Sequence, residues 1–230
     1  KKVVMTSATV TRADMAMLGI KAGEVDYTEY PSTFPVANRR VYFIPTIRMD
    51  RFITEAGMNA WATRIDNIIG SRLGYKGIIH TASYDRAARL CNFSNYRDFM
   101  LSHKSWNTAE VVGKFKQADP PCILVSPSVS TGYDFPDDLA RYQIISKVPF
   151  PDSRPLVMKA RQKVNPDYGC HAAIKQLIQA SGRIVRSGSD WGETYVIDTH
   201  LQWVISKYRS ILPKWWLDSV ITTNLIPVSR

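Results

Sequence analysis

A chain of 230 residues with 45% hydrophobic and 22% charged residues is long enough to bury one sizeable core, and a single domain is the default. Thirty Lys and Arg against twenty Asp and Glu leave a charge of +10, which favours a polyanionic partner such as nucleic acid. No uncharged run approaches membrane-spanning length, and the opening Lys1-Lys2-Val3-Val4-Met5-Thr6 is not a secretion signal. The chain is therefore expected in the cytoplasm, or in the nucleus of a eukaryotic cell, with no membrane partner. The three cysteines, Cys91, Cys122 and Cys170, form no CxxC pair, so reduced thiols are expected rather than a disulfide framework or a cysteine-bound cluster.

In chain order, Val3-Val4-Met5 is a strand stub running into Thr6-Ser7-Ala8-Thr9, an opening that reads as part of something longer. Residues 10–40 read as irregular with one short helix, broken by Gly23, Pro31 and Pro35. Val41-Tyr-Phe-Ile44 is a buried strand closed by Pro45. Met58, Trp61, Ala62, Ile65, Ile68 and Ile69 recur at helical spacing, predicting a helix that ends near Leu73 with Gly74 as its cap. Gly77 to Thr81 is the next strand, and Ser83 is the N-cap of a helix from Tyr84 to Leu90 with Asp85 in its first turn. Asp98 to Leu101 reads as a short strand, and Asn107-x-x-Glu110 as the capping box of a helix through Gln117. Pro120-Pro121 precedes Cys122-Ile-Leu-Val-Ser126, a continuous apolar strand of the kind covered on both faces. Tyr142 to Val148 is another buried strand and Pro149 to Pro155 a loop. A helix follows Asn165-Pro166-Asp167, and Thr194 to Ile197 reads as the last strand. Asp198 or Thr199 caps a final helix that Pro213 ends, before a tail with Trp215-Trp216. Strands alternating with helices predict a mostly parallel α/β sheet with helices on both faces, and place the chemistry on loops beyond the carboxyl ends of the strands.

The segment with most chemical content is Gln179-Ala-Ser-Gly182-Arg183-Ile-Val-Arg186. Continued as a helix, it puts Gln179, Arg183 and Arg186 within an arc of roughly 60°, opposite Ile174, Leu177, Ile184 and Val185. Gly182 leaves room for a close backbone or ligand approach. Two arginines held on a packed helix suit a phosphate that gains charge in a reaction, while a solvated basic face explains the same pattern without chemistry. Asp190, four residues after Arg186, is placed to pair with it structurally.

Other features are read as structural. His80, His103, His171 and His200 lack metal-ligand spacing, so no metal site is expected. Asp137-Asp138 is a solvated loop. Gly113-Lys114 is followed by Phe115 and has no upstream glycine, so it is not a phosphate-binding loop. Trp203, Tyr208, Trp215 and Trp216 fit the packing of a helix on the sheet better than base stacking, although Trp215-Trp216 also suits docking on another part of a longer protein.

Taken together, the blocks resemble the second motor domain of a superfamily 2 helicase, most closely the XPD/DinG-like branch. Ser7-Ala8-Thr9 resembles the SAT motif joining the two motor domains. Phe34-Pro35-x-x-Asn38-Arg39 with Val41-Tyr42 resembles the segment after it, and Gly77 to Tyr84 resembles motif IV. Gly132-Tyr-Asp134-Phe-Pro136, with Lys147-Val-Pro-Phe-Pro151-Asp-Ser-Arg-Pro155, resembles motif V and the loop beyond it. Gln179 to Gly192 resembles motif VI. The blocks occur in family order over residues 5–198. Two departures are Thr131, where the branch usually has an acid before the motif V glycine, and Asp198-Thr199-His200, where it often has an arginine.

The resemblance implies a three-layer α/β/α RecA-like domain over residues 1–230, with residues 1–10 the junction from a first motor domain upstream. That domain would contribute half of a site for ATP with Mg²⁺, held mainly by the first domain. Arg183 and Arg186 would be arginine fingers and Gln179 would contact the phosphate or position water. Asp134 with Gly132, beside Gly182, would touch the ribose or couple nucleotide to strand. Thr81, Ser83, Ser130 and Thr131 would hold backbone phosphates of a single strand, DNA favoured over RNA. Any iron–sulfur cluster would lie in the first domain. The chain has no GxxxxGK[ST] loop and no DExD or DExH box, so ATP hydrolysis by this part alone is not expected. The rival readings are a non-catalytic helicase-like module that binds nucleic acid or a partner, and an unrelated doubly wound enzyme, for which no glycine-rich dinucleotide turn or nucleophile elbow is present.

Overall fold

The computed structural model describes residues 3–7 and 9–229; Ala8, read above into the SAT motif, lies outside them. Among the described residues, seven strands and eight α-helices follow one another. They are α1 (Arg12–Met17), β1 (Val41–Ile47), α2 (Glu55–Gly70), β2 (Gly77–His80), α3 (Tyr84–Phe93), β3 (Met100–Ser102), α4 (Thr108–Gln117) and β4 (Ile123–Ser126). After these come β5 (Tyr142–Ile145), α5 (Leu156–Val164), α6 (Tyr168–Ser181), β6 (Glu193–Asp198), α7 (His200–Tyr208), α8 (Lys214–Leu217) and β7 (Val220–Thr222). Every strand pairing is parallel, in the order β3-β4-β2-β5-β6-β1-β7. The expected α/β sheet is therefore present, and it is parallel throughout.

Alternation along the strands divides the core between two faces. Ile44, Ile79, Ile123, Val125, Ile144 and Tyr195 meet the Met58-Trp61-Ile65-Ile68-Ile69 stripe of α2, with Ala87 and Leu90 of α3. The other face carries two separate apolar clusters. Phe43, Ile145 and Val196 pack under Ile174, Leu177 and Ile178 of α6 and Leu201 and Val204 of α7. Ile78 and Leu124 pack under Val111, Val112 and Phe115 of α4. On that face His80, Gln143 and Thr194 form a hydrogen-bonded row across β2, β5 and β6, at 3.0 and 2.9 Å. Because the Gln143 amide donates to the Thr194 hydroxyl, its oxygen faces His80, and the His80 Nε2 must carry the proton.

Several expectations shift. β1 runs through Pro45 to Ile47, and its register with β6 slips between Phe43 and Ile47, where proline has no N–H to give. α2 is capped at its start by the Thr54 hydroxyl, which accepts from the Gly57 N–H at 3.2 Å, and it stops at Gly70. Ser71, not Gly74, is its C-cap, because Arg72 leaves the helical path to reach Glu193. Ser83 caps α3 as predicted. Asn107 does not form a capping box: its side chain accepts from the Lys104 N–H at 2.8 Å, and Glu110 pairs with Lys114. The segment 97–99 is a 3₁₀ turn leading into β3.

Thr194 to Ile197 is not the last strand, since β7 adds a seventh at the edge beside β1. The tail tryptophans are occupied within the chain. Trp216 is buried and donates from its indole to the Ser181 hydroxyl at 2.9 Å, while the Arg39 guanidinium lies over the Trp215 ring.

Candidate functional site

α6 ends at Ser181 with Gly182 as its C-cap, so Arg183 and Arg186 lie in the irregular segment beyond it and not on a helical face with Gln179. Ile184 and Val185 keep the apolar character the pattern gave them, but they enter the cluster under α4, whereas Ile174 and Leu177 stay in the cluster under α6. The chain crosses from one cluster to the other in four residues; Arg183 projects from this crossing and Arg186 from just beyond it. A Cβ at Gly182 would meet the Gln179 and Ile178 carbonyl oxygens at 3.7 and 3.8 Å, ordinary contacts. The helix end, rather than a close approach at this position, is what places the segment.

The motif V-like loop wraps against the crossing. The Phe135 N–H donates to the Arg183 carbonyl at 3.1 Å, which fastens loop to crossing by main chain. The Arg183 guanidinium donates from Nε to the Ser130 carbonyl at 2.8 Å, and from a terminal nitrogen to the Tyr133 carbonyl at 3.2 Å and Asp134 Oδ1 at 3.1 Å. Arg186 pairs with the same Asp134 oxygen. One exposed carboxylate thus carries two guanidiniums, leaving one positive charge in the cluster unpaired. The Arg186 hydrogen bond, with the two guanidinium charges, holds the Asp134 carboxyl below the usual carboxylate range. Gly132 turns this loop with a φ of +80°, a backbone state that glycine adopts without strain.

Asp190 pairs with Arg186 differently from the expectation. Its Oδ2 accepts the Arg186 and Asp137 N–H groups, at 3.0 and 3.3 Å, while Oδ1 takes the Arg141 guanidinium at 2.7 Å. The buried carboxylate fixes the main chain and leaves the Arg186 side chain to Asp134.

Gln179 lies on the outward face of α6, which lines an open cleft of about 720 Å³ with Ser7, Thr9 and Asp14 of the N-terminal segment. The Gln179 amide donates to the Thr9 hydroxyl at 3.1 Å, and Lys175 pairs with Asp14. The structure thus joins the described part of the SAT-like segment to the glutamine of the motif VI-like segment. Gln176, which matches none of the motif residues above, donates to the Ser130 hydroxyl at 3.2 Å. Its signal was its position three residues before Gln179, on the same face of α6.

The four hydroxyls assigned to a strand have different settings. Thr81 is fully buried, and its hydroxyl donates to the Ser83 carbonyl at 3.1 Å. Ser83 receives the Arg86 N–H, and Ser130 is buried against Gln176. Thr131 alone of the four is exposed. His80 is buried and neutral, its pKa lowered to about 4 by burial. Among the described residues no three His, Cys, Asp or Glu side chains gather as a metal site, and no helix is long and apolar enough to cross a membrane.

A parallel seven-stranded sheet with helices on both faces defines a RecA-like α/β domain. The chain belongs to the helicase C-terminal domain family, whose model matches residues 76–219. It is 31% identical over 117 residues to the Fanconi anemia group J protein homolog of Gallus gallus, a match covering 44% of this chain and 9% of that protein. Its fold is similar to an XPD helicase (TM-score 0.59, 13% identity, 80% of this chain and 35% of that one) and to S. tokodaii Xpd4 (0.55, 12%, 80% and 38%). It is also similar to S. cerevisiae Dbp5 bound to RNA and ADP BeF3 (0.54, 13%, 94% and 50%). The XPD structures share the fold of this chain, and the Gallus gallus relative shares part of its sequence. The chain spans half or less of each of these relatives.

Proposed function

We propose that residues 1–230 act as the second motor domain of an ATP-dependent DNA helicase or translocase of XPD/DinG type, completing an ATP site whose other half lies on a first motor domain. The observation that carries this reading is the convergence of Arg183 and Arg186 on one exposed oxygen of Asp134. A carboxylate neutralises only part of that charge, so a second, more highly charged oxyanion has reason to enter.

The residues fit a terminal phosphate and not a metal. Arg183 and Arg186 would hold phosphate oxygens and Gln179, already oriented by Thr9, would hold a phosphate oxygen or a water. Asp134 is engaged by cations, so magnesium is assigned to the first domain. ATP supplies a phosphoryl group whose transfer to water releases the free energy for stepping. Arg183 is kept in place by the Ser130 and Tyr133 carbonyls, so it needs little reorganisation to meet developing charge. Asp134 would hold the pair ready and yield it, and with Gly132 would touch the ribose or couple the nucleotide to the strand. Thr131 and Ser83, with the main chain around them, grip strand phosphates without reading sequence. Support for the strand comes from the net charge of +10 and from the family.

The test is strand-stimulated ATP hydrolysis by the longer chain carrying this domain, wild type beside Arg183→Ala and Arg186→Ala. Turnover should fall roughly 10³-fold or more with single-strand binding retained. Unchanged turnover would remove both arginines from the chemistry and favour a non-catalytic binding module.

A further inference from the structure

Trp106 is 82% exposed, in the loop between β3 and α4 at the carboxyl end of the sheet. The loop is pinned on both sides of it. The buried His103 imidazole meets the Ser126 hydroxyl at 2.7 Å through Nε2 and the Thr108 hydroxyl at 3.0 Å through Nδ1. Asn107 accepts the Lys104 N–H at 2.8 Å, and the Thr108 hydroxyl donates to the Lys104 carbonyl at 3.2 Å. With its neighbours held, the indole stands in solvent on a fixed mount.

Its surroundings indicate what it meets. Ser102, Lys104 and Ser105 are exposed beside it, so the ring is one flat apolar surface among polar groups and not the centre of an apolar patch. The 103–108 stretch carries Lys104 and no acid, and the nearest acids on α3 and α4, Asp85 and Glu110, are paired with Arg89 and Lys114. The mount adjoins the loops assigned to the strand. Tyr84, next to Ser83, packs its ring edge-on to His103 at 5.8 Å, and the Ser126 hydroxyl that holds His103 also accepts the Ser128 and Val129 N–H groups.

We infer that Trp106 is a stacking platform for one base of a single-stranded nucleic acid, at the β3 edge of the strand-binding surface; this rests on the motor reading above. Every base has a π-face, so an exposed indole beside a lysine takes a base without selecting its sequence.

The test measures binding of two fluorescent oligonucleotides of about 12 nucleotides by anisotropy, one of thymidine and one abasic with the same phosphates. The longer chain carrying this domain is used as wild type, Trp106→Ala and Trp106→Phe. For the thymidine strand, Trp106→Ala should lose about 5- to 100-fold in affinity, and Trp106→Phe should stay within about threefold of wild type. For the abasic strand the three proteins should bind equally. Equal affinity of wild type and Trp106→Ala for thymidine would overturn the platform and leave the indole as a protein contact. An equal loss on both strands would also overturn it, assigning the effect to phosphate or to structure. Failure of wild type to bind either strand would sink the motor reading itself.

Discussion

Two arginine–carboxylate clusters use the same chemical groups to opposite ends. In the first, Arg72 and Glu193 are 1% and 5% exposed and lie 2.7 Å apart. The remaining Arg72 donors go to the Ser71 carbonyl and hydroxyl, the Tyr195 hydroxyl and the Pro227 carbonyl, and the Tyr195 hydroxyl donates to Glu193. In the second, Arg183, Arg186 and Asp134 are 17%, 41% and 48% exposed, and one carboxylate oxygen serves two guanidiniums. The closed cluster has no donor to spare and no water to receive its charges, so it can only be kept or broken. The open one has charge left over and a solvent route, so its partner can be exchanged. An ion pair is structural or functional according to what remains unsatisfied around it, not according to the residues that form it.

The widest separation between the clusters should appear on deleting their arginines. Arg186→Ala should reduce strand-stimulated turnover roughly 10³-fold while changing unfolding free energy by no more than about 1 kcal/mol. A large loss of stability in urea titration would mean that the open cluster is structural after all. Arg72→Ala should do the reverse on stability, costing about 3–5 kcal/mol because Glu193 is left buried without its cation. Adding Glu193→Gln to it should recover part of that loss. A urea midpoint for Arg72→Ala near wild type would break the comparison from the other side.

A third buried group extends the contrast to one that stays uncharged. His80 takes up a second ring proton, and a charge, only below about pH 4 in the folded protein, against 6.5 for an unperturbed imidazole. Between these values the unfolded chain binds more protons, so stability is complete above pH 6.5 and declines as pH falls towards 4, by about 3 kcal/mol from this residue. His80→Gln, which can still donate to Gln143, should flatten that part of the stability–pH curve. An unchanged slope would assign the acid sensitivity elsewhere. The smallest effect concerns the hydroxyls. Ser83→Ala removes the α3 cap and should cost about 1 kcal/mol, whereas Thr131→Ala, at an exposed hydroxyl, should leave the urea midpoint unchanged.

The strands with continuous apolar runs, such as Ile123 to Ser126 and Tyr142 to Ile145, were readable because burial on both faces leaves an unambiguous pattern. β7 was not, because Val220-Ile-Thr222 is three partly exposed residues at a sheet edge. α5 buries no residue, so it has no apolar stripe to read. Around the arginines the residues were legible and their shape was not. Ile184 and Val185 continue the helical periodicity of Ile174 and Leu177, and only the existence of two separate clusters on one sheet face shows that the period is interrupted. The Gln179–Thr9 and Lys175–Asp14 contacts join residues 170 and 161 positions apart, beyond the reach of any local pattern.

The crossing from α6 to the α4 side has a consequence for what this stretch of chain can tolerate. Ala180 is buried in one cluster and Ile184 in the other, with no loop of spare length between them. One residue added or removed between 180 and 184 would pull one of these anchors out of its cluster, or rotate Arg183 away from the Ser130 carbonyl. Natural length variation should therefore be absent there and accumulate instead in the 149–155 loop, whose Asp152 and Arg154 are solvent-exposed and bonded to each other. The spacing between Gln179 and Arg183 works as a ruler, and its unit is a single residue.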